Sequence, residues 1–108
     1  FKSALGETPV ERVSFFILPM DDALVMASVD LVDRPWCDVD CPDDLYLHFF
    51  RSFAMSSGMT LHIMVYRGFD DHHIIEASFK ALGKALKSAV VVRKDILSTK
   101  NKVIMESD

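Results

Sequence analysis

Residues 59–82, MTLHIMVYRGFDDHHIIEASFKAL, decide the fold, because one short stretch holds a strand, its stop and the opening of a long helix. Met59–Tyr66 is the clearest strand in the chain. Leu61 and Ile63 fall on one side by alternation and His62 on the other. Arg67-Gly68 ends it. Asp70 and Asp71 then open a helix expected to run to about Val91, with acids at the positive end of its dipole. Ile75, Phe79, Leu82, Leu86 and Ala89 recur at three- and four-residue intervals, and Ile74, Ala85 and Val90 widen the stripe. Lys80, Lys84 and Lys87 crowd the other side.

Upstream, Pro42 with Asp43 and Asp44 predicts a helix start, and Gly58 closes that helix after about Ser57. Leu45, Phe49, Phe53 and Ala54 are expected to line its buried side. Before it, strands are expected over Val13–Leu18, Ala23–Leu31 and Arg34–Val39, with a turn at Val32-Asp33. Gly6 and Pro9 break the first eleven residues, and residues 93–108 read as a polar tail. The order β-β-β-α-β-α with short β-β links predicts an α+β two-layer sandwich: a four-stranded, mainly antiparallel sheet with two helices on one face. No internal repeat occurs.

At 108 residues and 50% apolar composition, the chain makes one small domain rather than two and is not disordered. No apolar run approaches the ~18 residues of a membrane span. A net charge of −4 argues against nucleic acid or an anionic membrane as the main partner. Cys37 and Cys41 are too few and too close for a disulfide framework, so a reducing, intracellular setting is the default. A domain of this size buries only ~60% of its surface. The second sheet face carries His62 and Met64, so self-association is expected.

The chemistry gathers at Asp71-His72-His73-Ile74-Ile75-Glu76. His72 and Glu76 lie four apart, one turn along a helix face, and His73 and Glu76 are three apart. Two imidazoles and a carboxylate at one helix end suit a borderline divalent ion such as manganese, iron or zinc; an exposed, capped helix start with no ligand is the plainer reading. His48, beside Phe49 and Phe50, is either a further ligand or rim packing. His62 reads as structural. Cys37-x-x-x-Cys41 is a weak zinc signal, better read as two half-buried thiols. Arg34, Lys80 and Lys100 together could form an anion site, or each could be a solvated charge. Asp21 and Asp22, after Pro19, are a turn cap or a catalytic acid, and nothing local decides between these.

Several blocks then fall into a known order: Pro19-Met20-Asp21-Asp22-Ala23-Leu24, Val29-Asp30-Leu31 with Arg34-Pro35, Phe49-Phe50-Arg51-Ser52-Phe53, Ser57-Gly58-Met59-Thr60-Leu61-His62-Ile63, Arg67-Gly68, His72-His73-Ile74-Ile75-Glu76-Ala77-Ser78-Phe79-Lys80-Ala81-Leu82, and Ser98-Thr99-Lys100. From about Arg12 to Val103 the chain resembles imidazoleglycerol-phosphate dehydratase of histidine biosynthesis, and in particular its C-terminal half-domain, as a divergent or partial copy. That resemblance implies a half-domain of the ribosomal protein S5 domain 2-like type over residues 1–108, with 1–12 a remnant linker and 93–108 a tail bearing an anion motif. The upstream D-H-H-x-x-E-D block of the family's first half does not occur here. The short Trp36–His48 interval implies that a strand and its turn have been cut.

The resemblance further implies a symmetric oligomer and manganese, or another divalent metal, at two sites shared between chains or half-domains. It assigns metal binding to His48, His72, His73 and Glu76, phosphate binding to Arg12, Arg34, Lys80, Ser98 and Lys100, and catalytic roles to Asp21 and Glu76. The implied reaction removes water from imidazole glycerol phosphate to give imidazole acetol phosphate, by Lewis-acid and general acid–base chemistry. The implied place of work is the cytoplasm, or the plastid in a plant. The alternative is a non-catalytic metal-binding or oligomerising half-domain derived from that enzyme.

Overall fold

The computed structural model describes residues 13–106, with side chains described for 13–89. The order is β1 (Val13–Met20), β2 (Ala23–Asp30), β3 (Trp36–Val39), α1 (Asp44–Ser57), β4 (Thr60–Arg67) and α2 (Asp71–Glu106). β1 and β2 form an antiparallel hairpin in which Met20 faces Ala23 across Asp21-Asp22. Asp21 takes a left-handed backbone, φ 50°, which aspartate tolerates in tight turns. The sheet order is β1-β2-β4-β3. β2 pairs with β4 antiparallel, and β4 with β3 parallel. The one parallel pair follows from connectivity: α1 carries the chain back so that β4 starts beside the start of β3.

Alternation sorts the two sheet faces. Ala23, Val25, Ala27 and Val29 of β2 are buried, with Leu61 and Ile63 of β4. The same core takes in Phe50 and Ala54 of α1 and Ile74, Ala77, Ala81, Leu82, Ala85 and Ala89 of α2. Both helices therefore cover one face, as the order of elements predicts. The other face holds Phe15, Ile17, Met64 and Trp36, all substantially exposed. His62 lies there too, exposed and opposite Ser28 and Asp38.

The helix ends are built by named groups. Asp43 caps α1, its carboxylate accepting from the amides of Leu45 at 2.9 Å and Tyr46 at 3.3 Å. Gly58 closes α1 at φ 69°. A Cβ there would displace the Asp33 carboxylate, whose Oδ1 would lie 2.6 Å away, but it is the left-handed backbone that calls for glycine.

Two expectations change. Leu45 is 73% and Phe49 49% exposed, while Phe50, which was not expected inside, is fully buried. Phe50 and Ala54 stand one turn apart and define the inner face, and Leu45 and Phe49 fall beside it. The long helix does not stop near Val91 but continues to Glu106. No Gly or Pro follows Gly83, and Val92, Ile96, Val103 and Ile104 keep helical spacing, so composition suggested a tail where nothing stops the helix. Residues 98–100 thus lie on α2 rather than in a loop. β3 is present at Trp36–Val39, and only residues 40–43 join it to α1.

Candidate functional site

β3 and β4 run parallel and each feeds a helix from its C-terminal end, so α1 and α2 start at the same end of the sheet. Asp71, the first residue of α2, is accordingly among the carboxylates acting on Cys41 just before α1. The β1–β2 turn reaches this end as well. Asp22 Oδ2 accepts from the backbone amides of Phe69 at 2.8 Å and Asp70 at 3.0 Å. Its Oδ1 lies 2.6 Å from His73 Nδ1. Asp70 caps α2 through the amides of His72 at 2.9 Å and His73 at 3.3 Å. Gly68 permits this close assembly: at φ 147° a Cβ would meet Ile74 Cγ1 at 2.8 Å and Ala23 Cα at 3.4 Å.

The His73 ring is bracketed by acids, with Nε2 3.5 Å from Asp21 Oδ2. The amides of Phe69 and Asp70, and then the His73 ring, hold the Asp22 carboxyl far below the usual carboxylate range. The same bond to Asp22, helped by Asp70 and Asp21, raises His73 above its ordinary 6.5 against the opposing effect of desolvation. Burial pushes the Cys37 and Cys41 thiols up, which keeps them protonated and poor metal ligands.

One turn into α2, Glu76 Oε2 pairs with Lys80 Nζ at 3.1 Å, so an expected metal ligand and an expected phosphate ligand are neighbours. His48 is exposed on α1, 3.5 Å from Ser52 Oγ. Arg34 stands apart. Its carbonyl accepts from Thr60 Oγ1 at 2.8 Å, at the start of β4. The α2 N-terminus follows the other end of that eight-residue strand, ~23 Å away at strand rise. One chain therefore does not bring Arg34 beside His72 and His73. Arg12, and the side chains of Ser98 and Lys100, lie outside the described residues.

Among the described residues no three His, Cys, Asp or Glu side chains converge to hold an ion by themselves. The donors still fit a divalent ion in kind: imidazoles, a carboxylate, and one imidazole already tied through its second nitrogen to an acid. Among these residues, too, no helix is long and apolar enough to cross a membrane. Asp22 is the residue that the sequence left undecided. Its bond to His73 spans 51 positions, and no local signal announces it.

The imidazoleglycerol-phosphate dehydratase family profile matches residues 1–86. The imidazoleglycerol-phosphate dehydratase of Saccharolobus solfataricus is 46% identical over 92% of this chain and 58% of its own length. This chain belongs to the imidazoleglycerol-phosphate dehydratase family. Two solved dehydratases share the fold. That of Staphylococcus aureus superposes with a TM-score of 0.68 at 31% identity, over 78% of this chain and 55% of that one. That of Pyrococcus furiosus, in complex with (S)-C348, gives 0.59 at 39% identity, over 70% and 48%. The chain thus spans about half the length of the dehydratases it matches, in keeping with one half-domain.

Proposed function

We propose that this chain supplies the C-terminal half of an imidazoleglycerol-phosphate dehydratase, which removes water from imidazole glycerol phosphate to give imidazole acetol phosphate. The observation that carries the reading is the α2 N-terminus: His72, His73 and Glu76 on the first turns, with His73 fixed by Asp22 and Lys80 one turn beyond Glu76. His48, His72, His73 and Glu76 hold manganese or a related divalent ion, which when bound supplies Lewis-acid polarisation of the substrate imidazole. Lys80 takes the phosphate, so that the substrate is gripped at both ends. Asp21, 75% exposed at the turn and facing His73 Nε2, is placed to move a proton.

Each ion lacks donors within one chain, so a second chain or half-domain completes the site. Arg34, at the far end of β4, serves a site completed in that way. The exposed flank of the helix layer suits such a partner: Tyr46, Phe49 and Phe79 form an aromatic cluster, with Phe49 and Phe79 centroids 5.5 Å apart, and Leu45 beside it is open. The half-length match favours a second reading, a half-domain that binds metal and assembles without turning over alone. Manganese titration of metal-stripped protein separates the two, following mass, thermal midpoint and dehydration of imidazole glycerol phosphate. Uptake with turnover supports the enzyme, and uptake without turnover supports the second reading. A chain that takes up no manganese, zinc or iron at neutral pH overturns both.

A further inference from the structure

We infer that Asp22 is a positioning residue: it locks His73 in the Nδ1–H tautomer and so presents Nε2 as the donor nitrogen. The inference rests on the metal-binding role proposed for His73, but its geometry stands independently. Asp22 Oδ1 is 2.6 Å from His73 Nδ1, and an ionised carboxylate only accepts, so the ring proton must sit on Nδ1. Asp22 is itself immobilised. Its other oxygen accepts two amides from the segment leading into α2, and its side chain is only 12% exposed. The hairpin turn and the helix start are thereby clamped through one carboxylate. The ring cannot rotate about its own bonds without breaking the contact. Nε2 is left toward Asp21, on the open side of the turn, where the side chain is 75% exposed and an ion can enter. Free imidazole favours the opposite tautomer, with the proton on Nε2, and that form has no lone pair to offer there. A carboxylate on the second nitrogen is the usual device by which proteins orient a ligating histidine, and its loss typically costs 10–100-fold in metal affinity.

Asp22→Asn is the informative variant, because it separates the clamp from the tautomer. Its carbonyl oxygen can keep the amides of Phe69 and Asp70, while its NH2 group donates to Nδ1 and drives the proton to Nε2. The full chain, labelled with 15N at its four histidines, is examined metal-free at alkaline pH by long-range 1H–15N correlation. The parent should show His73 as Nδ1–H and Asp22→Asn as Nε2–H. Manganese affinity should fall 10–100-fold in Asp22→Asn while the thermal midpoint falls less than in Asp22→Ala, which loses both the affinity and the clamp. An Nε2–H ring in the parent, or an unchanged tautomer in Asp22→Asn, overturns the inference. So does a switched tautomer with affinity held within twofold. A parent that binds no manganese defeats the metal reading instead, and the tautomer measurement still decides what Asp22 does to the ring.

Discussion

The two helices start at the same end of the sheet, yet they arrive there differently. α2 enters through Gly68, is capped by Asp70, and is tied to the β1–β2 turn by Asp22. Its inner stripe is small: Ala77, Ala81, Ala85 and Ala89, one turn apart, with Ser78 bonded back to the Ile74 carbonyl at 2.7 Å. Such a stripe lets the helix lie close on β2, where Ala23 and Ala27 are equally small. α1 is seated instead by one large ring, Phe50, and shows its other aromatics outward. Its histidine, His48, meets only Ser52 in the hydrogen bonds described. One part of the proposed site is therefore prebuilt within the chain, and in the proposed function a partner completes the other part.

The largest effect that tests this contrast is on stability. Phe50→Ala empties a fully buried ring position and should cost about 3–5 kcal/mol in urea denaturation. Phe49→Ala, half-exposed, should cost well under that and reduce assembly mass instead. Equal losses of fold stability would erase the distinction between an inner and an outer face of α1.

Metal comes next. Binding to the assembled state stabilises it by mass action, about 2.7 kcal/mol at a hundred times the dissociation constant. Manganese should raise both mass and thermal midpoint of the parent, and His72→Ala or Glu76→Ala should abolish both gains. Because neutral imidazole is the ligating form and Asp22 raises His73 above 6.5, uptake should already weaken as pH falls toward 6.5 and further below it.

How far the sequence carries depends on which kind of signal fixes a feature. The β1–β2 hairpin, the strand β4 and the cap at Asp43 follow from alternation and turn chemistry within a few residues. The face of α1 does not, because Phe49, Phe50 and Phe53 are equally apolar and only the sheet beneath picks Phe50. The alanine stripe of α2 hides behind larger neighbours such as Ile75 and Phe79, whose size suggests burial that the close helix–sheet approach gives to alanine. The His-His-x-x-Glu pattern is plain in the sequence. Its anchor is not, since Asp22 reaches His73 only through the pairing of a hairpin with a helix start. The far placement of Arg34 is a matter of strand length and direction, which no motif records.

The Asp22–His73 pair also sets a pH signature in the metal-free chain. The Asp22 carboxyl is depressed below 3.8 by the amides of Phe69 and Asp70 and by His73, so its contribution to stability is present above 3.8 and is lost as pH falls through the depressed value. His73 is raised above 6.5 chiefly by Asp22, so its contribution is full below 6.5 and is lost as pH rises through the folded value. The thermal midpoint of the parent minus that of Asp22→Asn should thus peak between about pH 4 and 6.5 and shrink on either side. A difference that is flat from pH 3 to 9 would mean the pair is not formed in solution.

The smallest stability effect belongs to Lys80, and it sharpens the contrast between holding the fold and holding the substrate. Its pair with Glu76 spans one exposed helical turn, with side chains 55% and 50% accessible, and such pairs contribute only about 0.3–0.5 kcal/mol. Lys80→Ala should therefore leave the thermal midpoint almost where it was. It also frees the Glu76 carboxylate from its cation, so manganese uptake should be kept. Phosphate recognition should behave differently, because an ammonium beside a bound cation is the group that can hold a dianion while the ion holds the ring. In a substrate-binding assay, inorganic phosphate should compete with substrate in the parent and lose most of that competition in Lys80→Ala. If competition is unchanged, Lys80 is only a solvated partner of Glu76, and the anion end of the site must be supplied by residues other than this one.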